Sequence, residues 1–361
     1  MLRRRRLYAL LFGLLISAPA AAAAPRAIAW EKGGFDGALA KAAKAGKPLV
    51  AEFYAEWCPW CKKMAKDTFP DAALASFVGE RLVAVQVNAE KAYRVKTDFA
   101  LAHHVGGYPT FIVFNPKGEE IDRVVGYMGP KEFKTALEDL LAGKGTLKDL
   151  EARLAGGDSS PELLVKLGDK RTEVEDWARA KELYAKVIEA DASGKFGAEA
   201  LLSLAQVAKR EKDYEKVVKL SRQYLDSFAK GEDRAAAHRG LIGGLTKKGD
   251  KDALLPAWRA YVAEMKDDPE ALNSFAWWCS QERVALREGL AAAEHARTLQ
   301  PKDGSILDTL AVLHFVMAHY DEAIKTEKAA LALDPSNKEM KERLQSMIET
   351  RKVYTRLAAR R

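Results

Sequence analysis

The amino-acid sequence predicts an α/β domain with a mixed central sheet and flanking helices, followed by an all-α helical solenoid. Three observations carry that expectation. Strand and helix patterns alternate between Phe35 and Leu141, strand patterns disappear beyond Ser160, and Pro269, Pro301 and Pro335 recur at intervals of 32 and 34 residues, each at the end of a helical pattern. With 361 residues, 48% hydrophobic and 30% charged, the chain can fill two ordinary cores. Three cysteines are too few for a disulfide-stapled scaffold, so packing must hold the framework.

A separate segment precedes both parts. Arg3, Arg4, Arg5 and Arg6 lead into an apolar run from Leu7 to Ile16, then Ser17-Ala18-Pro19 and five alanines ending at Ala24. A basic start, a short apolar stretch and small residues together describe a secretory signal peptide over residues 1–24. The run falls well short of the roughly 20 apolar residues of a membrane span. Cleavage there would place the mature chain in the periplasm or another extracytoplasmic, oxidising space. Those four arginines supply more than half of the net charge of +7, and the remaining cations are interleaved with carboxylates. Nothing resembles the basic stripe of a nucleic-acid binder.

The first domain is expected over residues 27–142. Phe35 to Ala45 reads as a helix, with Phe35, Leu39, Ala42 and Ala43 on one face and Gly46 at its end. Pro48 to Ala55 is a near-continuous apolar run, the pattern of a strand buried on both faces. A helix follows from Pro59 to Phe69, with proline at the first position, where its missing N–H is harmless. Arg81 to Asn88 alternates as a strand, Arg94 to His104 looks helical, and Thr110 to Asn115 and Glu120 to Tyr127 are strands joined by the turn at Asn115-Pro116-Lys117-Gly118. Lys131 to Leu141 closes the domain as a helix.

Inside this frame lies Trp57-Cys58-Pro59-Trp60-Cys61-Lys62. A C-x-x-C placed where a strand ends and a helix begins sets the first sulfur over unpaired N–H groups and the positive end of the helix dipole. That position stabilises a thiolate. Cys58 is therefore the expected nucleophile and Cys61, one turn further in and more buried, the resolving thiol. Glu52, six residues before Cys58 in an apolar run, would have a raised pKa and take the proton from Cys61, unless it is ion-paired to a lysine. Tyr108-Pro109, after Gly106-Gly107, suits a cis X-Pro bond whose backbone lies beside the sulfurs and pairs with a substrate strand. Trp57 and Trp60 would cover the sulfurs or contact substrate. C-x-x-C is also half of a zinc site, with His103 and His104 as conceivable further ligands, but the strand-turn-helix setting favours redox chemistry.

Residues Val50 to Lys62, followed by Gly107-Tyr108-Pro109-Thr110, resemble a thioredoxin-fold domain, most similar to the secreted thioredoxin-like group that includes the periplasmic C-terminal domain of the transmembrane thiol reductase. The resemblance implies a Cys58/Cys61 redox pair needing no bound cofactor or metal, Glu52 in place of the family's usual buried aspartate, and Pro109 as the cis-proline. The dipeptide between the cysteines, Pro59-Trp60 rather than Gly-Pro, departs from the common pattern, so the redox potential does not carry over. A strongly oxidising member would favour histidine between the cysteines; Trp60 and Glu52 together tilt the expectation toward a reductase.

After a linker over 143–160, containing a short charged helix from Leu147 to Leu154, residues 161–357 carry only helical periodicity. The interval of about 34 residues, with Leu164, Leu167, Gly168, Ala180 and Tyr184 in the first unit, Leu201, Leu204 and Ala205 in the second, and Leu307, Leu310, Ala311, Ala323, Ala330 and Pro335 in the last, resembles the tetratricopeptide repeat (TPR) family. Five units are expected, the third and fourth degenerate at Gly243-Gly244 and Trp277-Trp278, with a charged helix from Asn337 to Arg351 as the cap. Cys279 should be an inert core thiol. Such arrays bind peptides in a concave groove. The combined expectation is an extracytoplasmic thiol–disulfide oxidoreductase acting on proteins with cysteines, recharged by a membrane electron donor, with repeats that recruit a protein substrate or partner. The alternative is a non-catalytic, chaperone-like scaffold.

Overall fold

The computed structural model describes residues 27–89 and 103–358. The expected signal peptide and nearly all of the expected helix from Arg94 lie outside the described residues; His103 and His104 form a turn. The chain divides into two compact units, Met1–Ser159 with Asp169–Asp176, and Ser160–Gly168 with Trp177–Arg361.

The first unit runs β1 (Trp30–Glu31), α1 (Gly34–Ala45), β2 (Leu49–Tyr54), α2 (Pro59–Asp67), α3 (Ala72–Arg81), β3 (Val83–Asn88), β4 (Thr110–Phe114), β5 (Glu120–Val125), α4 (Pro130–Leu141) and α5 (Leu147–Ala155). The sheet order is β1-β3-β2-β4-β5. Strands β1, β3 and β2 are parallel, while β4 and β5 are antiparallel to their neighbours. The apolar run of β2 occupies the centre because only there are both faces covered. On one face Ala38 and Ala42 of α1 pack on Leu49, Ala51, Phe53, Val85, Ile112 and Phe114. On the other, Val50, Phe111 and Val113 meet Met64 of α2, Leu74 and Val78 of α3, and Phe133 and Leu137 of α4.

One expectation needs correction: the helix carrying the dithiol stops at Asp67, and a separate helix, α3, follows before β3. Pro70 has no N–H to continue a helix and pushes Phe69 out of helical geometry. Phe69 instead enters the core, edge-on to Trp30 at 5.1 Å. Asp71 then caps the new helix by accepting from Leu74 N at 2.8 Å.

The second unit is built of helix pairs: α6 (Pro161–Glu173, whose last residues count with the first unit) with α7 (Trp177–Ala190), α8 (Lys195–Arg210) with α9 (Tyr214–Ser227), α10 (Arg234–Lys248) with α11 (Lys251–Glu264), α12 (Pro269–Glu282) with α13 (Leu286–Leu299), and α14 (Gly304–Val316) with α15 (Tyr320–Leu333). A last helix, α16, spans Lys338–Ala358, seven residues past its expected end. Small residues set the spacing within and between pairs. A Cβ on Gly168 would lie 2.6 Å from Cε1 of the fully buried Tyr184, and one on Gly244 would lie 2.8 Å from Cγ2 of Val218. The two units expected to be degenerate therefore form regular pairs: Gly244 allows α10 to approach α9, and Trp278 joins a core with Trp258 and Phe275.

Candidate active site

Cys58 is the N-cap of α2 and Pro59 its first residue. The Cys58 sulfur accepts from Cys61 N at 3.1 Å, so a backbone N–H already points at the atom that would carry the thiolate charge. Cys58 and Cys61 are joined as a disulfide, as the one-turn spacing allows. Both cysteines are buried, at 2% and 5% exposure. The expectation that Cys61 is the more buried of the two does not hold in this oxidised form. Tyr54 and Tyr108 pack against the cluster that the pair forms with Ala55.

The cis-proline loop stands against this disulfide, and Trp57 and Trp60 adjoin its two cysteines in sequence. The Tyr108–Pro109 bond is cis, and the Tyr108 carbonyl oxygen lies 3.6 Å from the Cys58 sulfur. Pro109 O accepts from Gly126 N, and Thr110 Oγ1 donates to Gly107 O, which pins the loop between β4 and the preceding residues. Trp57 packs edge-on against Tyr108 at 6.0 Å, and Trp60 leans on Tyr127 at 5.9 Å. Both tryptophans are largely exposed, at 63% and 55%, so two exposed aromatic side chains adjoin a buried disulfide.

Tyr127 was not evident in the sequence, because its place depends on contacts between distant segments. Met128 N donates to Met64 Sδ, and Thr68 Oγ1 donates to Met128 O, holding the turn after β5 against α2. Tyr127 is thereby set beside Trp60, with Lys63 Nζ 4.8 Å from its ring centroid. The Lys63 charge is also engaged by Asp67 at 2.6 Å.

Glu52 lies on the face of β2 that it shares with Val50, the face on which α2 packs, and is 1% exposed. Burial pushes its pKa up to about 7, partly opposed by a hydrogen bond from Gln86. Gln86 Nε2 donates to Glu52 Oε2 at 2.7 Å. The two residues are register partners across the parallel pair β2/β3, and Gln86 is itself exposed. The hydrogen bond to an amide replaces the ion pair to lysine that the sequence left open. Gln86 gave one signal: it is the first polar residue of the strand Val83–Asn88. Its partner, however, is fixed only by strand register.

His103 and His104 do not join the dithiol. His103 Nδ1 meets Glu120 at 3.3 Å, and His104 Nδ1 lies 3.6 Å from Glu175. Among the described residues no group of three or more His, Cys, Asp or Glu is arranged to hold a metal ion. Cys279 is fully buried, and desolvation pushes its pKa up to about 12.

A dithiol at a helix N-terminus, faced by a cis-proline loop on a β1-β3-β2-β4-β5 sheet, defines a thioredoxin-like domain. Residues 35–141 match the family model described as a thioredoxin-like domain. Among characterised proteins, this region is similar to the thiol:disulfide interchange protein DsbD: 39% identical over 99 residues to that of Salmonella typhimurium, covering 26% of this chain and 17% of the relative. The DsbD of Pseudoalteromonas atlantica is 31% identical over 111 residues, covering 30% and 18%. The chain thus spans about a sixth of the length of these relatives. Solved structures similar to it include YrrB, described as a TPR protein with an unusual peptide-binding site (16% identity, 55% of this chain and 100% of that one, TM-score 0.45), and the DsbH oxidoreductase (20% identity, 36% and 93%, TM-score 0.30). The second unit is an array of the tetratricopeptide type on its own evidence, the five helix pairs and their repeat spacing.

Proposed function

We propose that this protein is an extracytoplasmic thiol–disulfide oxidoreductase, working as a reductase, whose helical repeats hold the protein to be reduced. The observation that carries the reading is the Cys58 sulfur at the cap of α2, facing Cys61 N and the carbonyl of the cis-proline loop. In the reduced state, the Cys58 thiolate attacks one sulfur of a substrate disulfide. A mixed disulfide forms and the other substrate sulfur leaves as a thiolate, taking a proton from solvent. Cys61 then gives its proton to Glu52 and attacks the Cys58 sulfur, and the second substrate sulfur leaves as a thiolate that takes its proton from solvent. Two electrons pass from the dithiol to the substrate, and the Cys58–Cys61 disulfide remains for a dithiol donor to reduce. In an oxidising space that donor would be a membrane protein.

The exposed Trp57 and Trp60, with the half-buried Tyr127 against Trp60, support contact with apolar residues flanking a substrate cysteine. The location rests on the basic and apolar start of the chain and on the similarity to DsbD. A Cys61→Ser variant tests the whole reading. It should accumulate mixed disulfides through Cys58, and mass spectrometry of the captured proteins should show cysteine-bearing extracytoplasmic proteins. No captured partner, with full retention of cellular function, would favour the non-catalytic scaffold.

A further inference from the structure

Three of the exposed large apolar side chains of the described residues fall within five positions of α16: Val353, Tyr354 and Leu357, at 53%, 56% and 56% exposure. The inner face of the same helix is held by Met340 and Met347, both buried, Met347 packing on Ala311, Val312 and Ala323. Arg351 makes the last ion pair between α16 and the array, with both Asp321 oxygens at 2.9 and 3.0 Å. Beyond Arg351 every residue through Leu357 is exposed. On a helix, positions 353, 354 and 357 fall within an arc of about 100°, which makes a compact apolar stripe.

From Arg351 onward α16 carries only cations, while the carboxylates nearest the stripe, Asp321, Glu322 and Glu349, lie on its N-terminal side. Residues 351–361 contain Arg351, Lys352, Arg356, Arg360 and Arg361 and no acidic residue. Lys352 and Arg356 make no ion pair among the described residues. Long basic side chains beside a narrow apolar stripe fit the interface of an anionic membrane, where the stems follow the acyl boundary and the heads meet phosphates. A second copy of the chain fits poorly. Three partly exposed side chains fall far short of the roughly 800 Å² per partner of a stable interface, and pairing would bring two cationic clusters together. No helix of the described residues is long and apolar enough to cross a membrane, so the contact is peripheral.

We infer that the last two turns of α16 dock the repeat array on an anionic phospholipid surface, through Val353, Tyr354 and Leu357 inserted and Lys352 and Arg356 paired with headgroups. This does not depend on the thiol chemistry. The test is sedimentation of the full chain with vesicles of equal parts phosphatidylglycerol and phosphatidylcholine, against phosphatidylcholine alone. The chain should bind the anionic vesicles, less so at high salt, and not the neutral ones. Each cation near such a surface contributes about fivefold in binding, so Lys352→Glu with Arg356→Glu should weaken it about 25-fold or more. Val353→Asp with Leu357→Asp should do the same. Both pairs lie at exposed positions, and an unchanged thermal unfolding curve verifies that each variant is folded. Equal binding of wild type and both variants would overturn the inference, since other residues would then carry it. So would equal affinity for neutral vesicles, or self-association of the wild type that the aspartate pair abolishes.

Discussion

Glu52 sits under two opposing demands: burial in β2 favours its neutral form, while the proton removal from Cys61 that we propose for it needs the carboxylate. With a pKa near 7 it can take and return a proton at physiological pH. The rate at which Cys61 resolves a mixed disulfide should therefore rise as pH rises through about 7. Glu52→Gln should flatten that profile and slow the step by roughly 10²-fold at pH 8, measured by stopped-flow release of a model substrate. Stability runs the other way. The folded protein keeps this proton to higher pH than the unfolded chain, so the contribution is complete below the ordinary value of 4.5 and lost by about pH 7. Glu52→Gln should thus be more stable than wild type at pH 8, by up to roughly 3 kcal/mol in denaturant unfolding. Gln86→Leu removes the donor that favours the carboxylate, so the resolving-step profile should move to higher pH with the fold intact. An unmoved profile would show that Gln86 does not tune Glu52.

Close approach of helices sets the architecture at the scale of elements, and glycine permits it where no side chain fits. Gly168→Ala would drive a Cβ against the rigid, buried ring of Tyr184, and should destabilise the array by about 1–3 kcal/mol, read from its denaturation midpoint. Much of this level was legible in the sequence. The apolar run of β2, the proline at the start of α2 and the Tyr-Pro-Thr opening of β4 are local signals, and each element starts at or within a residue of where its pattern began. Elements and contacts settled by tertiary structure were not legible. The break between α2 and α3 depends on Phe69 turning into the core, although Pro70-Asp71 marks it in retrospect. The Glu52–Gln86 bond depends on strand register, and Tyr127 reaches Trp60 only because Met64 and Thr68 hold the turn before α4. The third and fourth helix pairs escaped the repeat pattern because Gly244 and Trp278 solve their packing with other residue types.

For the whole molecule, the dithiol and the helical repeats lie in different units of the chain, so the roles proposed for them are separable in the intact protein. In a deletion strain, the full chain carrying Cys58→Ser and Cys61→Ser should fail to restore the lost phenotype if thiol exchange is the function. Full complementation would mean that the array works as a scaffold and the thioredoxin-like domain only docks. Beneath this lies the state of one sulfur, capped by Cys61 N at the start of α2. The most direct measurement is the alkylation rate of the reduced protein as a function of pH, with the modified cysteine identified by mass spectrometry. Modification should fall on Cys58, with a midpoint below the roughly 8.5 of an ordinary thiol. A midpoint at or above that value, or equal labelling of Cys58 and Cys61, would contradict the assignment of Cys58 as the nucleophile.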